Sequence, residues 1–240
     1  IVKDIFDIKE LLPLVRDFEQ LLIMQANKMR LKVHDDLIKN ILEIQKHFPN
    51  ALNESYFMLR NTSSGHALAA NLNLNLLANN LIGFDQKTPL IISGPSFFIN
   101  IPSNNTRKYT FHSEQNWYPK RRNFINVWCP ILKNRVNDDS IAILPESHKK
   151  NWSYFSEYTG YDGKLNEVSN VQYEIPSNFL SKYNQIIPKV KVGEGLVFHG
   201  NMLHSSLDCN QVQLAIAFRI FNYSKDLTLS SNWADIPYNR

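Results

Sequence analysis

The hydrophobic pattern of this chain changes near residue 83, and that change limits the possible folds more than any other feature. Before it, apolar residues recur at helical spacing from Leu11 to Leu22. The same spacing predicts a second helix over Asp35–His47, with Pro49 ending it. A leucine pattern over residues 71–81 predicts a third helix, although asparagine is a weak helix former. The first third of the chain is therefore expected to be helical.

After residue 83 the sequence breaks into short runs of β-branched and aromatic residues, separated by Pro, Gly, Asn and Asp. Such closely spaced short runs favour a sandwich or jelly roll over alternating strands and helices. We therefore predict a mainly β protein with N-terminal helices. The expected strands are Leu90–Ser93, Ser96–Ile101, Lys108–Ser113, Phe124–Ile131, Ile141–Leu144, Val190–Val192, Leu196–His199 and Val212–Asn222.

We expect one domain over residues 1–240, because no repeat or linker interrupts the chain. Residues 1–85 form its helical flank and 86–225 its β core. The polar, aromatic segment 149–185 lies within that core and is long enough to be a lid-like insertion that selects the substrate.

Composition excludes several classes of protein. The 240 residues are 43% hydrophobic, which is enough to bury a core, and the net charge of +4 shows no basic stripe for nucleic acid. Apolar runs stop well short of the roughly 20 residues that a membrane span needs. Two cysteines are too few for a disulfide scaffold, so we expect a cytoplasmic protein.

The short motif His112-Ser113-Glu114 is the first that could carry chemistry. Residues two apart on a strand project to the same face, so an imidazole and a carboxylate would lie side by side and form half of a metal site. A solvated strand edge is the plain alternative, because a motif of three residues is common by chance.

A second histidine, His204, follows a glycine-bounded strand and a turn. That arrangement can deliver its imidazole opposite the first pair. Two histidines and one carboxylate suit non-haem Fe(II), which keeps positions open for a co-substrate and oxygen. The same ligands also suit zinc, so residue types alone leave the metal open.

Arg219 lies in the otherwise apolar run from Leu214 to Phe221. A buried guanidinium needs an anionic partner, because an unpaired buried charge is costly. The partner could be a dicarboxylate co-substrate held by two parallel hydrogen bonds. It could equally be a carboxylate of the chain itself, such as Asp208.

Four blocks between Ser96 and Phe221 together resemble one known family. They are residues 112–119 (HSEQNWYP), 126–131 (NVWCPI), 144–149 (LPESHK) and the segment that ends at His204. In this order they look like the phytanoyl-CoA dioxygenase branch of the Fe(II)/2-oxoglutarate-dependent oxygenases. The resemblance implies a double-stranded β-helix (a cupin-like jelly roll) and iron ligated by His112, Glu114 and His204.

The resemblance also implies a co-substrate site. Arg219 is the candidate for the distal carboxylate of 2-oxoglutarate, and Ser206 can add a hydroxyl. In the family the arginine usually comes earlier on this strand, where the present chain has Gln213. Positions 213 and 219 share one face of a strand, so both are retained as co-substrate residues.

The activity implied by this resemblance consumes O2 and 2-oxoglutarate and releases succinate and CO2. We expect hydroxylation of a small polar metabolite or sugar derivative. The candidate substrate residues are Trp117, Tyr118, Arg121, Trp128 and His148. Two alternatives stay open, a cupin-type zinc or manganese hydrolase or isomerase and a non-catalytic barrel that binds small molecules.

Overall fold

The computed structural model describes residues 1–82, 90–102, 104, 109–114, 124–132, 141–150, 158–159, 172–173, 175 and 177–222. Five helices form the N-terminal part: α1 (Ile8–Lys28), α2 (Leu37–His47), α3 (Pro49–Arg60), α4 (Ser63–Ala69) and α5 (Leu72–Ile82). A short helix, α6 (Ser177–Leu180), follows much later. The three expected helices are confirmed as α1, α2 and α5. None of the described helices is both long enough and apolar enough to span a lipid bilayer.

The helices begin where side chains can cap them. At α1 the Asp7 carboxylate accepts from the backbone of Lys9, and the Glu10 carboxylate accepts from the backbone of Asp7, which makes a reciprocal capping box. At α2 the Asp36 carboxylate accepts from the backbone N–H of Lys39. These local contacts fix helix starts that the hydrophobic pattern alone gave only approximately.

Pro49 has a different role from the expected one. It is the first residue of α3, where its missing N–H and fixed φ suit a helix start. The preceding Phe48 is extended enough (ψ 68°) to turn the chain between α2 and α3. Proline therefore separates two helices here, and the prediction missed α3 and α4.

The strands are β1 (Leu90–Asn100), β2 (Phe124–Leu132), β3 (Ile141–Ile143), β4 (Tyr158–Thr159), β5 (Gln172–Tyr173), β6 (Leu196–His199), β7 (His204–Ser206) and β8 (Gln213–Asn222). Four of them form an antiparallel large sheet in the order β1-β8-β2-β6. The two strands expected over residues 90–101 are one strand, β1, with a register shift between Ser93 and Ser96. β4 and β5 pair only with each other.

The small sheet is built on β3 and β7, which pair antiparallel. Isolated bridges extend it on both sides, because His112 pairs with His204 and Ile143 pairs with Ile186. The strand expected at Val190–Val192 is wrong, since these residues lie in irregular chain, while the strand role of His204–Ser206 was missed.

The two faces of the large sheet pack against different partners. On β8, Leu214, Ile216, Phe218 and Ile220 share one hydrophobic core with α1 and its neighbouring helices. Alternate residues project to the opposite face, which we call the inner face and which includes Asn126, Trp128, Phe198, Ala217 and Arg219. Phe198 and Leu196 on this face pack against Ile141 of the small sheet. The inner face is therefore where the two sheets meet.

Candidate metal centre

Three potential metal ligands converge between the two sheets. One ligand atom from each of His112, Glu114 and His204 lies within 4.8 Å of the other two, and all three residues are buried. Among the described residues this is the one group of three or more His, Cys, Asp or Glu side chains with such spacing. The expected set of ligand residues is thus assembled in one place.

Backbone pairing brings the two histidines together. The N–H of His112 donates to the carbonyl of His204 and the N–H of His204 donates to the carbonyl of His112, each at 3.0 Å. The two residues therefore form a hydrogen-bonded antiparallel pair, whose side chains share a face. Their ring centroids are 4.2 Å apart.

Each histidine is also held by the carbonyl of the residue two positions before it. Nδ1 of His112 lies 2.7 Å from the carbonyl oxygen of Thr110, and Nδ1 of His204 lies 3.0 Å from that of Met202. Because a carbonyl can only accept, each Nδ1 carries the hydrogen, which leaves Nε2 as the nitrogen available to a metal. This is the tautomer and second contact that metal-binding histidines commonly show.

Burial keeps His112 neutral. Removal from solvent, together with the nearby His204, lowers the pKa of His112 to about 3, although Glu114 and the Thr110 carbonyl act in the opposite direction. A neutral imidazole is the form that coordinates a metal.

Glu114 is gripped by Arg219 from the large sheet. Nε of Arg219 donates to Oε2 at 3.0 Å and a terminal nitrogen donates to Oε1 at 2.8 Å, so the contact is a bidentate ion pair. Burial alone would raise the pKa of Glu114, but Arg219 and His204 together outweigh it and hold that pKa well below its usual range. The carboxylate is therefore ionised and ready to bind a cation.

The structure thus gives Arg219 a partner within the chain. Its remaining terminal nitrogen donates to the Ser96 hydroxyl at 2.6 Å, and its guanidinium carbon lies 5.8 Å from the centroid of the Phe98 ring. The sequence allowed an internal carboxylate as an alternative to a co-substrate, but named Asp208 as the example. The observed partner is Glu114.

The other expected site residues lie at various distances along the two sheets. Ser206 ends β7, and its N–H donates to the Tyr109 carbonyl at 2.9 Å. Gln213 is buried at the start of β8, opposite Asn100. Trp128 packs against the small cluster around Phe198.

His148 lies in the short 3₁₀ turn Ser147–Lys149, with its ring centroid 5.5 Å from that of His199. Burial and this neighbour lower the pKa of His199. Trp117, Tyr118 and Arg121 lie outside the described residues, as do most of the expected insertion 149–185 and the end of the helical flank at 83–85.

Sequence reasoning missed Asn201, which joins three parts of the site. Its side-chain oxygen accepts from Ser113 at 3.0 Å, and its Nδ2 donates to the His148 carbonyl at 3.1 Å and to the carbonyl of Lys150. Its own N–H donates to Nδ1 of His199 at 3.0 Å. A Gly-Asn pair before a strand indicates only a turn, so no sequence signal marks these contacts.

Sequence reasoning also missed Asn126 as a site residue. It lies directly opposite Arg219 on one side and Phe198 on the other, and is 2% exposed. A polar side chain at alternate spacing with Trp128 was the available signal, because it places an amide on the face that meets the ligands.

The donor set fits a divalent transition metal. Two imidazoles and one carboxylate on one side leave further coordination positions for water or an exogenous ligand. Both buried Nε2 atoms have the geometry for coordination, and Oε1 of Glu114 lies 3.6 Å from Nε2 of His204. Calcium and magnesium are disfavoured, since they prefer oxygen ligands.

No profile of a known protein family matches the sequence. A search of curated proteins likewise finds no significant match. Solved structures of similar shape include the non-haem alpha-ketoglutarate-dependent carbocyclase SnoK from nogalamycin biosynthesis, at 14% identity and a TM-score of 0.46, covering 65% of this chain and 57% of SnoK.

Two further solved structures are similar to this extent. EvdO2 from Micromonospora carbonacea var. aurantiaca, complexed with 2-oxoglutarate, has 12% identity and a TM-score of 0.48, with 74% of this chain and 64% of that chain covered. A nickel complex of the non-haem monooxygenase ThoJ has 10% identity and a TM-score of 0.46, with coverage of 87% and 69%. The chain spans about three fifths of the length of SnoK and EvdO2.

Proposed function

We propose that this chain is a non-haem Fe(II) and 2-oxoglutarate-dependent oxygenase of the phytanoyl-CoA dioxygenase type. The supporting observation is the buried group of His112, Glu114 and His204, in which Nδ1 of each histidine is held by a backbone carbonyl and the carboxylate is ionised. Fe(II) at these ligands, with 2-oxoglutarate and O2, would supply the oxidation and release succinate and CO2.

The strand order supports a double-stranded β-helix as the core of the proposed enzyme. The large sheet β1-β8-β2-β6 faces a small sheet that contains the His112 bridge, β7, β3 and the Ile186 bridge. Ligands from the small sheet and an arginine from the large sheet meet between them. We propose that residues 1–240 form one cytoplasmic domain, with 1–85 as its helical flank and 149–185 as the insertion that selects the substrate.

The chain's own residues would hold and orient the reactants. Burial of the three ligands excludes water from the metal, and Arg219 fixes the Glu114 carboxylate in one orientation. Arg219, Ser206 and Gln213 remain our candidates for the co-substrate. Trp117, Tyr118, Arg121, Trp128 and His148 remain candidates for a small polar metabolite or sugar derivative, for which we propose hydroxylation.

A second candidate function is favoured by one observation. Arg219 is an internal ion-pair partner of Glu114, which is the role expected of it in a cupin-type zinc or manganese hydrolase or isomerase. Such an enzyme needs neither 2-oxoglutarate nor O2.

Anaerobic spectroscopy separates the two functions. Fe(II) followed by 2-oxoglutarate should produce a weak visible charge-transfer band in the wild type, and air should then consume 2-oxoglutarate with release of an equal amount of succinate. Glu114→Gln should abolish the band and lower the stability, but the chain should still fold, because an amide keeps the shape and a hydrogen bond to Arg219. If metal binds and neither the charge-transfer band nor succinate appears, the result supports the hydrolase or isomerase and not the oxygenase.

A matched control uses a carboxylate that faces a histidine far from the site. Glu43 lies 3.5 Å from His47 on α2. Glu43→Gln should therefore retain the full band. A screen for succinate release over sugars, amino acids and other polar metabolites then identifies the substrate class.

A further inference from the structure

Asn126 carries an amide whose polar atoms have no partner in the described part of the chain. The residue is 2% exposed, and neither its Nδ2 nor its Oδ1 makes a hydrogen bond there. Buried polar atoms are normally satisfied, so each exception needs a reason. A pair of unsatisfied atoms on one side chain is a stronger signal than a single one.

The position of Asn126 places this amide beside the metal ligands. In the large sheet Asn126 is the direct neighbour of Arg219 on β8 and of Phe198 on β6. Directly opposed residues project to the same face, with Cβ atoms about 5 Å apart. Arg219 contacts Glu114, and the Phe198 ring lies 4.8 Å from that of His204. Asn126 therefore lies between the two residues that touch the ligands.

Small side chains lie next to this row. Ala215 and Ala217 share the inner face of β8 with Arg219, in the two rows that follow toward the start of that strand. Both leave room on β8 next to Arg219, although Trp128 lies opposite Ala217. A small molecule held at Arg219 would lie beside Asn126, which is its direct neighbour in the sheet.

The energetics argue against a purely structural role. An amide buried without hydrogen bonds costs about 1–3 kcal/mol, which a leucine of similar size would avoid. Gln25, a buried amide in α1, differs because its Nε2 donates to Glu54 at 3.2 Å and only Oε1 has no partner among the described residues. Asn126 gains no such bond from the described part of the chain.

We propose that the Asn126 amide binds the keto acid held at the metal, with Nδ2 donating to a carboxylate or keto oxygen. The Arg219 guanidinium lies beside this amide, so the amide would add a neutral hydrogen bond to the keto acid. The inference rests on the proposed function, because it assigns a positioning residue to the co-substrate of that same site.

The test combines apo stability with ligand affinity. Asn126→Leu should leave the urea unfolding midpoint of the metal-free protein unchanged or higher, because it removes a buried unsatisfied amide. The same variant should bind anaerobic 2-oxoglutarate about tenfold more weakly in the Fe(II) protein, measured by calorimetry and by the charge-transfer band. Its affinity for Fe(II) alone should stay within twofold of wild type.

Two further variants keep the test decisive. Asn126→Ala removes the amide without adding bulk, and should weaken 2-oxoglutarate binding to the same degree if Asn126→Leu does not fold. Gln25→Leu is the matched control, and should leave 2-oxoglutarate affinity unchanged because this amide lies in α1 and not on the inner face. A drop in the unfolding midpoint for both Asn126 variants, with unaltered 2-oxoglutarate affinity, would show a structural amide and overturn the inference.

Ligand binding by the wild type separates failure of this inference from failure of the proposed oxygenase function. If wild-type protein binds Fe(II) but neither 2-oxoglutarate nor oxalate, the oxygenase proposal fails, and with it the role of Asn126. If the wild type binds 2-oxoglutarate and both Asn126 variants bind it equally well, only the inference about Asn126 fails.

Discussion

The carboxylate of Glu114 faces one positive charge within the chain, the Arg219 guanidinium, and would face a second if a metal ion bound. Both of its oxygens now accept from Arg219, and Oε1 is also the oxygen that faces His204 at 3.6 Å. A metal at His204 would share Oε1 and leave Oε2 with Nε of Arg219. The arginine thus positions a ligand without being one.

Arg219→Met should reveal this positioning. Loss of the guanidinium leaves Glu114 buried and unpaired, so metal-free protein should lose about 3 kcal/mol of unfolding free energy in urea. Affinity for Fe(II) should fall about tenfold to a hundredfold, because the carboxylate loses its orienting partner. Titration calorimetry under anaerobic conditions measures the second effect.

The control for that change is an exposed ion pair. Lys149 contacts Glu146 at 3.0 Å, and both side chains are mostly exposed. Lys149→Met should alter stability by less than about 1 kcal/mol and leave Fe(II) affinity unchanged. Equal effects of Lys149→Met and Arg219→Met would contradict the positioning role.

His112 should make the metal-free protein sensitive to acid. Its pKa is lowered to about 3 in the folded state, so below about pH 6.5 the unfolded chain binds a proton that the folded chain does not. Stability should therefore fall as the pH decreases from about 6.5 to about 3, by up to about 1.4 kcal/mol per unit for this group. Glu114, whose pKa is also lowered, adds to the loss below about pH 4.5.

Urea unfolding between pH 7.5 and 4 measures this slope. His112→Gln removes the group and should flatten the curve between pH 6.5 and 4.5, whereas His47→Gln on α2 should not. An identical slope in all three proteins would mean that His112 is not the buried neutral group described above.

At the scale of elements, the turn between β6 and β7 determines where His204 lies. Asn201 in this turn binds Ser113, which stands between His112 and Glu114, and also binds the backbone of residues 148 and 150. One side chain therefore connects the segment that carries two ligands, the turn before the third, and the chain that leads into the insertion.

Asn201→Ala should loosen these three segments together. We expect a loss of about 2 kcal/mol in unfolding free energy, because buried hydrogen-bonding groups of Ser113 and two carbonyls lose their partner. We also expect faster amide hydrogen exchange in residues 112–114 and 147–150, followed by mass spectrometry. Asn61→Ala is the control, since Asn61 makes an exposed side-chain hydrogen bond to Phe57. Exchange changes limited to the turn itself would argue against this coupling.

Elements with strong periodicity could be predicted from the sequence, and short ones could not. The apolar stripes of α1 and α2 identified those helices, and the β-branched runs identified β2, β6 and β8. α3 was missed because Pro49 was taken as an end when it is also a good first residue. β7 was missed because three polar residues carry no hydrophobic alternation, and their strand pairing depends on β3 and His112.

For the whole molecule, a metal at this centre should act as a stabilising ligand of the folded state. Its ligands come together only through strand pairing, so the unfolded chain has little affinity for it. Fe(II) or Zn²⁺ at about a hundred times its dissociation constant should add about 2.7 kcal/mol to the unfolding free energy. A chelator should reverse the gain, as followed by thermal unfolding.

Glu114→Gln serves as the reference for this experiment, because it retains the fold and removes the anionic ligand. The metal should shift its unfolding temperature much less than that of wild type. Equal shifts in the two proteins would place the metal elsewhere on the molecule.

The sequence predicted the ligand residues of the candidate centre better than their surroundings. The expected alternation paired His112 with Glu114, and the turn before His204 together with the family resemblance added the third ligand. The structure brings the three together, although His112 and Glu114 lie outside the named strands. The partner of Arg219 could not be predicted, because it depends on the depth at which β8 lies against the opposite sheet. The contacts of Asn126 and Asn201 likewise follow from register and turn geometry, which single residues do not encode.

The mutual backbone hydrogen bonds of His112 and His204 also bear on biosynthesis. The segment after His204 must leave the ribosome before β7 can align, so a shorter nascent chain holds only two of the three ligands. In the cell, a metal could therefore bind to all three ligands only near the end of synthesis. A chain truncated before residue 204 would lack the third ligand and could not bind a metal ion at this centre.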